Sequence, residues 1–174
     1  MFHTYDIALL KLDRPVDYAP NVVPICLPEK DQSFGGGDAW ATGWGVSHFN
    51  ATTAPSLLRE VNVPLKTDDE CAEEVGEYVQ SLQTYFNTTN ERAVQRIANR
   101  HKRFFICTKN TYPYHEHRNT CQGDSGGPLA VQRNDGRFLL AGITSFGDEC
   151  RDLGYYTKVS AFVDWIHFVM KQNN

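Results

Sequence analysis

The chain has 174 residues, 41% apolar and 12% aromatic, enough to bury one core, which excludes disordered and fibrous classes. Its 17 Lys and Arg against 21 Asp and Glu leave a formal charge of −4, so there is no basic field to gather nucleic acid and no patch for a membrane surface. No run of about 18 apolar residues could span a bilayer, and Met1 to Asp6 lacks the apolar core of a secretory leader.

Asp6-Ile-Ala-Leu-Leu-Lys-Leu-Asp13 is a compact apolar run stopped by Arg14-Pro15, which predicts a buried strand. Residues 14–38, with Pro15, Pro20, Pro24, Pro28 and Gly35-Gly36-Gly37, read as a connector. Short β-type segments follow at 39–44, 57–65, 104–108, 128–132, 138–145 and 155–159, each bounded by Gly, Asn, Asp or Pro, the rhythm of an all-β sandwich or barrel. Asn134-Asp135-Gly136 predicts a hairpin of type I′, since Asp-Gly accepts the positive φ angles that turn needs. Ser160 is placed as the N-cap of a terminal helix whose apolar stripe is Phe162, Val163, Ile166, Val169 and Met170.

Residues 68–103 break the β rhythm, with an acidic first part from Asp68 to Glu77 and a basic second part from Arg92 to Arg103. Helical spacing in both parts predicts a solvated insertion, centred on 74–103, whose charges pair with one another. Cys26, Cys71, Cys107, Cys121 and Cys150 lie too far apart for a zinc knuckle and suit disulfides in an oxidising compartment, with one left over. Together with the sequons at Asn50 and Asn87, candidate glycosylation sites, they favour a secreted, extracellular protein. Sequence preceding Met1 is then expected.

Cys121-Gln-Gly-Asp-Ser-Gly-Gly-Pro128 is the most informative stretch, because glycines on both sides of Asp-Ser let the backbone turn sharply beside a hydroxyl. Such a turn either is an ordinary glycine-rich hairpin or aims two N–H groups, of Gly123 and Ser125, at a developing oxyanion, an effect worth roughly 3–4 kcal/mol per donor. The hexapeptide Gly123–Pro128 resembles the nucleophile motif of the chymotrypsin-like (trypsin-fold) serine peptidases. Asp6-Ile-Ala-Leu-Leu-Lys-Leu, Pro24-Ile-Cys-Leu-Pro28, Thr42-Gly-Trp-Gly45, Gly142-Ile-Thr-Ser-Phe-Gly147, Gly154-Tyr-Tyr-Thr-Lys-Val159 and Phe162-Val-Asp-Trp-Ile166 resemble that family in the same order.

The resemblance implies an all-β fold of two antiparallel barrels. Residues 1–13 would be the last strand of the first barrel, 14–38 the connector, 39–159 the second barrel and 160–174 a C-terminal helix. It implies Ser125 as nucleophile, Asp6 as the buried carboxylate orienting a histidine, Gly123 and Ser125 as the oxyanion hole, and Asp124 as acceptor of the ammonium created by zymogen cleavage. It pairs Cys71 with Cys107 and Cys121 with Cys150, assigns Cys26 a partner upstream of the chain, and explains the joint absence of cysteines at Ala39 and Val131 as a bridge lost as a unit. No metal or organic cofactor is implied; polypeptide substrates and protein inhibitors are the expected partners.

The family's base is a histidine upstream of the aspartate, and His3, His48, His101, His115, His117 and His167 all lack its context and read as surface residues. The expectation is that this chain lacks the histidine-bearing barrel and is inactive alone, within an active parent endopeptidase. The alternatives are a non-catalytic pseudo-protease or a regulatory binding module. Asn119 falls where trypsin-like members carry an aspartate, which argues against Arg or Lys at the cleavage site. Ser145, Phe146 and Gly147 match the strand that pairs with substrate backbone, and Gly154 is expected to leave the pocket wall open.

Overall fold

Residues 5–85, 92, 103–109, 119–147, 150 and 153–173 are described by the computed structural model. Six strands, β1 (Asp38–Gly43), β2 (Arg59–Pro64), β3 (Phe105–Cys107), β4 (Pro128–Gln132), β5 (Phe138–Gly147) and β6 (Gly154–Lys158), form one antiparallel sheet in the order β2-β1-β4-β5-β6-β3. The outer strands meet, because Leu65 beyond β2 bridges Thr108 beyond β3, and the Lys66 and Lys109 N–H groups donate to the Cys107 and Pro64 carbonyls at 2.9 and 2.7 Å. This closure turns the sheet into a barrel and removes its free edges.

Strand periodicity fills the interior. Ala39 and Ala41 of β1, Val63 of β2, Ile106 of β3, Leu129 of β4, Leu139 and Ala141 of β5 and Tyr156 of β6 form one buried cluster with Leu65 and Phe34. The hairpin at 134–136 differs from the type I′ expectation: Gly136 alone has positive φ, at 82°, its N–H donates to the Arg133 carbonyl at 2.9 Å, and Arg133 N–H donates to the Arg137 carbonyl at 2.8 Å. This is a type I turn followed by a glycine bulge, in which only Gly136 must be left-handed.

The terminal helix also starts differently. Val159–Phe162 is a 3-10 turn that leads into α2 (Val163–Gln172). Ser160 is no N-cap; it is buried in that turn and its Oγ donates to the Gln32 carbonyl at 2.8 Å, tying the connector down. Phe162, Val163 and Ile166 are buried while Met170 is 51% exposed, so the stripe docks at its N-terminal end. The run Asp6–Leu12 has no ladder partner among the described residues, and Leu10 is 88% exposed. It is held at its start, where the Tyr5 ring meets Phe104 and Phe162 and Thr157 Oγ1 donates to the Asp6 carbonyl at 2.8 Å.

Helix α1 (Asp68–Tyr85) opens with the capping box Thr67-Asp-Asp-Glu70: Thr67 N–H donates to Glu70 Oε2 at 2.7 Å and Glu70 N–H to Thr67 Oγ1 at 3.2 Å. Among the described residues its acidic side chains pair with the barrel and its approach, not with the basic half of the insertion: Asp68 with Lys158, Glu70 with Lys109 and Glu74 with Lys66. A disulfide joins Cys71 of the helix to Cys107 of β3, and closing a loop of separation 36 stabilises by roughly 3–4 kcal/mol. The expected second helical part beyond Arg92 lies outside the described residues, as does Asn87.

The Thr67 N–H and Lys109 ammonium hold the Glu70 carboxyl at about 2, well below its ordinary value of 4.5. A depressed carboxyl stabilises the fold at any pH above its unfolded value and loses that contribution as pH falls from about 4.5 through about 2. Hydrogen exchange of the first-turn amides of α1 should therefore accelerate across that window, and Glu70→Gln should remove most of the pH dependence.

Candidate active site

The Cys121–Pro128 segment is anchored by a Cys121–Cys150 disulfide and by a lattice of backbone hydrogen bonds. Asp124 N–H donates to the Cys121 carbonyl at 3.0 Å, Gly127 N–H to that of Asp124 at 2.9 Å, and Gly126 N–H to that of Thr144 at 2.8 Å. Thr144 N–H in turn donates to the Gly127 carbonyl at 2.9 Å, so β5 brackets Ser125 from both following residues. Gly123 has φ +97°, and a Cβ there would stand 3.1 Å from Gly45 Cα, so only glycine serves.

Asp124 sets the turn. Its carboxylate accepts the Gly45 N–H at 2.7 Å and the Cys121 N–H at 2.9 Å. It fits only because Thr42-Gly-Trp-Gly45 carries no side chain where it lies: a Cβ on Gly43 would be 1.9 Å from Oδ1, and one on Gly45 2.5 Å. Asp124 also lines a cleft of about 470 Å³ with Gly43, Gly45, Val46, Asn119 and Thr120.

Ser125 is exposed. Among the described residues its hydroxyl has no hydrogen-bond partner, and the N–H groups of Gly123 and Ser125 have no acceptor. A second pocket of about 210 Å³ opens beside it, lined by Thr120, Gln122, Thr144, Ser145, Phe146 and Gly147 along with both disulfide cysteines. Ser145 joins this pocket to Asp6, since its Oγ donates to Asp6 Oδ2 at 2.7 Å. Asp6 itself is exposed, in contrast to the buried carboxylate expected, because nothing described packs over its outer face.

The structure thus brings Ser125, Ser145, Phe146 and Gly147 to one pocket and ties Asp6 to its wall. Asn119 and Gly154 are placed otherwise. Asn119 Oδ1 accepts from the Tyr156 hydroxyl at 3.0 Å and the Thr120 N–H at 2.8 Å, and Nδ2 donates to Thr108 Oγ1 at 3.3 Å. A Cβ on Gly154 would stand 2.8 Å from Asn119 Oδ1 and from Tyr156 Cε2, so its missing side chain makes room for that network and not for an open wall. Burial pushes the Tyr156 phenol up to about 12, with the Thr120 hydroxyl opposing and the Asp124 charge adding to the rise.

Among the described residues His48 bonds only Ser47, at 3.2 Å, and His167 lies exposed on α2; neither bonds Asp6 or Ser125. His3, His101, His115 and His117 lie outside the described residues. Cys26 is a free thiol bridged through its backbone to Leu139. Asn50 is exposed in the β1–β2 loop with φ +67°. Among the described residues no cluster of His, Cys, Asp and Glu could hold a metal ion, and no helix is long and apolar enough to cross a membrane.

The family profile described as Trypsin matches residues 2–166. The chain belongs to the trypsin family. It is 38% identical over 167 residues to the serine proteinase stubble of Drosophila melanogaster and 34% identical to the serine protease filzig of the same fly. To the suppressor of tumorigenicity 14 protein homolog of Bos taurus it is 36% identical. These alignments take in 93–94% of this chain but 19%, 9% and 16% of the respective relatives, so the chain spans less than a fifth of their length. Membership accounts for the closed antiparallel barrel with its C-terminal helix.

Thr120, Gln122 and Thr144 were not among the residues singled out by motif. Thr144 sits inside Gly142-Ile-Thr-Ser-Phe-Gly147, but strand alternation sets it on the opposite face from Ser145, so the motif gave no signal for it. Gly43→Ala should expel Asp124 from its cradle and cost on the order of 2–4 kcal/mol in urea unfolding, from two charge-assisted hydrogen bonds. Gly76→Ala, in α1 with no atom within 4 Å of the added Cβ, should be neutral or stabilising.

Proposed function

We propose that this chain contributes the nucleophile and the acid of a Ser-His-Asp endopeptidase that cleaves polypeptides through an acyl-enzyme. The observation that carries the reading is Ser125: an exposed hydroxyl with no partner among the described residues, two adjacent N–H groups without acceptors, and a pocket at its side. In this reading the Gly123 and Ser125 N–H groups stabilise the tetrahedral oxyanion. Asp6, oriented by Ser145, aligns a histidine supplied from outside the described residues, and that histidine takes the Ser125 proton. Residues 6–12 are then a strand whose ladder partners and base belong to a first barrel, and this chain alone is inactive.

Asp124 is read as the acceptor of an ammonium formed by activation cleavage. Its carboxylate lines the 470 Å³ cleft and already holds the oxyanion turn through Cys121, so a cation entering there would act on that turn. Two disulfides, the free Cys26 and an exposed sequon at Asn50 support a secreted glycoprotein. Ser145, Phe146 and Gly147 are read as the edge that pairs with substrate backbone, and Asn119 and Gly154 as supports of the pocket.

A fluorophosphonate probe should label the full-length protein containing this chain at Ser125 and leave Ser125→Ala unlabelled. Asp6→Asn should keep the fold and lower kcat by about four orders of magnitude. Absence of labelling in a folded, activated full-length protein returns the chain to the non-catalytic reading.

A further inference from the structure

Thr144 carries the one buried side-chain polar atom among the described residues that has no hydrogen-bond partner, its Oγ1. The residue is only 7% exposed, and it lines the 210 Å³ pocket beside Ser125. Its backbone is fixed on both faces of the nucleophile turn, through Gly126 N–H and the Gly127 carbonyl, so its side chain is held within the pocket wall one residue from Ser145. A buried hydroxyl without a partner is unfavourable, and natural structures keep few of them. Rotation about Cα–Cβ exchanges a threonine's hydroxyl with its methyl at almost no change of volume, so the group can turn to meet a polar ligand in the pocket.

Apart from Ser125, which the peptidase reading reserves for attack on the substrate carbonyl, the other hydroxyls on that wall are already committed. Ser145 Oγ donates to Asp6, and Thr120 Oγ1 bonds the Tyr156 hydroxyl at 3.2 Å. No charged side chain occurs among the described lining residues. Among the described lining residues an ammonium or guanidinium would meet no counter-charge, whereas a purely apolar side chain would leave the Thr144 hydroxyl unmet. A carboxamide can both accept from that hydroxyl and donate to it.

We propose that Thr144 is a specificity-determining residue of this pocket, selecting substrates whose side chain on the N-terminal side of the scissile bond is a carboxamide, as in Gln. The proposal rests on the peptidase reading for its catalytic arm only. The test compares peptides differing only in Gln, Met or Arg at that position, using the activated full-length protein and its Thr144→Val and Thr144→Ser variants. Wild type should prefer Gln over Met in kcat/KM. Thr144→Val should lower the Gln-to-Met ratio by about 10- to 100-fold, and Thr144→Ser should keep it. A parallel arm measures calorimetric binding of product-like peptides ending in Gln or Met to Ser125→Ala, with and without Thr144→Val.

A Gln-to-Met ratio unchanged by Thr144→Val, with or without a rise in Tm, overturns the proposal, since the hydroxyl is then only an internal packing feature. Wild-type preference for Arg or for Met overturns it as well. If no peptide is cleaved and no probe bound, yet Gln-ended peptides bind in a Thr144-dependent way, the peptidase reading fails and the pocket assignment stands. Loss of both cleavage and Gln-selective binding removes both.

Discussion

The Asp124 carboxylate is the constraint on which the site depends. It draws the Cys121 and Gly45 N–H groups toward itself at 2.9 and 2.7 Å, and so joins the Cys121–Pro128 loop to the end of β1 through a charge. Charge-assisted hydrogen bonds of this kind are roughly twice as strong as neutral ones. Among the described residues they leave the N–H groups of Gln122, Gly123 and Ser125 outside the lattice. A second link, from Val46 N–H to the Gln122 carbonyl at 2.9 Å, closes the ring between the two loops. Whatever displaces Asp124 therefore moves the Gly123 and Ser125 N–H groups on either side of it.

The barrel makes that arrangement stiff. Ser125 follows from the Gly126 and Gly127 bonds to Thr144, Asp6 from Ser145 and Thr157, and both sets come from β5 and its neighbour β6. A second layer holds α1 against the barrel by three lysine–carboxylate pairs and the Cys71–Cys107 bridge. Lys158 is the most buried of these cations, 8% exposed, and both Asp68 oxygens meet it at 2.9 and 3.0 Å. Removing Asp68 would leave an ammonium with little water and no counter-charge, a costlier change than losing an exposed pair. The aromatic stack of Phe146 on Tyr155, centroids 4.5 Å apart, is continuous with Tyr78 of α1, so the helix buttresses the wall of the pocket.

The strands were legible because alternation and turn residues agree in this sequence: each segment proposed from Ala39 onward corresponds to a strand within one or two residues at most boundaries. The sharp turn at Gly123–Pro128 was legible for a related reason, since Gly123, Gly126 and Gly127 satisfy backbone demands that no other residue meets. What could not be read was anything set by long-range packing. Ser160 looks like an N-cap locally, but its hydroxyl goes to Gln32, 128 positions away. Asp6–Leu12 looks like a buried strand because its residues are apolar, yet burial depends on partners that composition does not supply. The acidic residues of α1 looked complementary to the basic half of their own insertion, whereas among the described residues they pair with Lys66 just before the helix and with Lys109 and Lys158, 39 and 90 positions away.

Asn119 shows why the character of a pocket is a property of a network and not of one position. Thr120 Oγ1 donates to the Tyr156 oxygen, Tyr156 to Asn119 Oδ1, and Asn119 Nδ2 to Thr108 Oγ1, which also accepts the Gly154 N–H at 3.0 Å. With its phenol pushed up to about 12, Tyr156 stays protonated across the physiological range and always donates, which fixes the orientation of the Asn119 amide. An aspartate at that position would still accept from Tyr156 and Thr120, and Thr108 could turn its hydroxyl to donate. The charge would then be spread over three protein donors before any ligand reached it. The identity of residue 119 is therefore coupled to Thr108, Thr120 and Tyr156, and a change there is felt through the whole network.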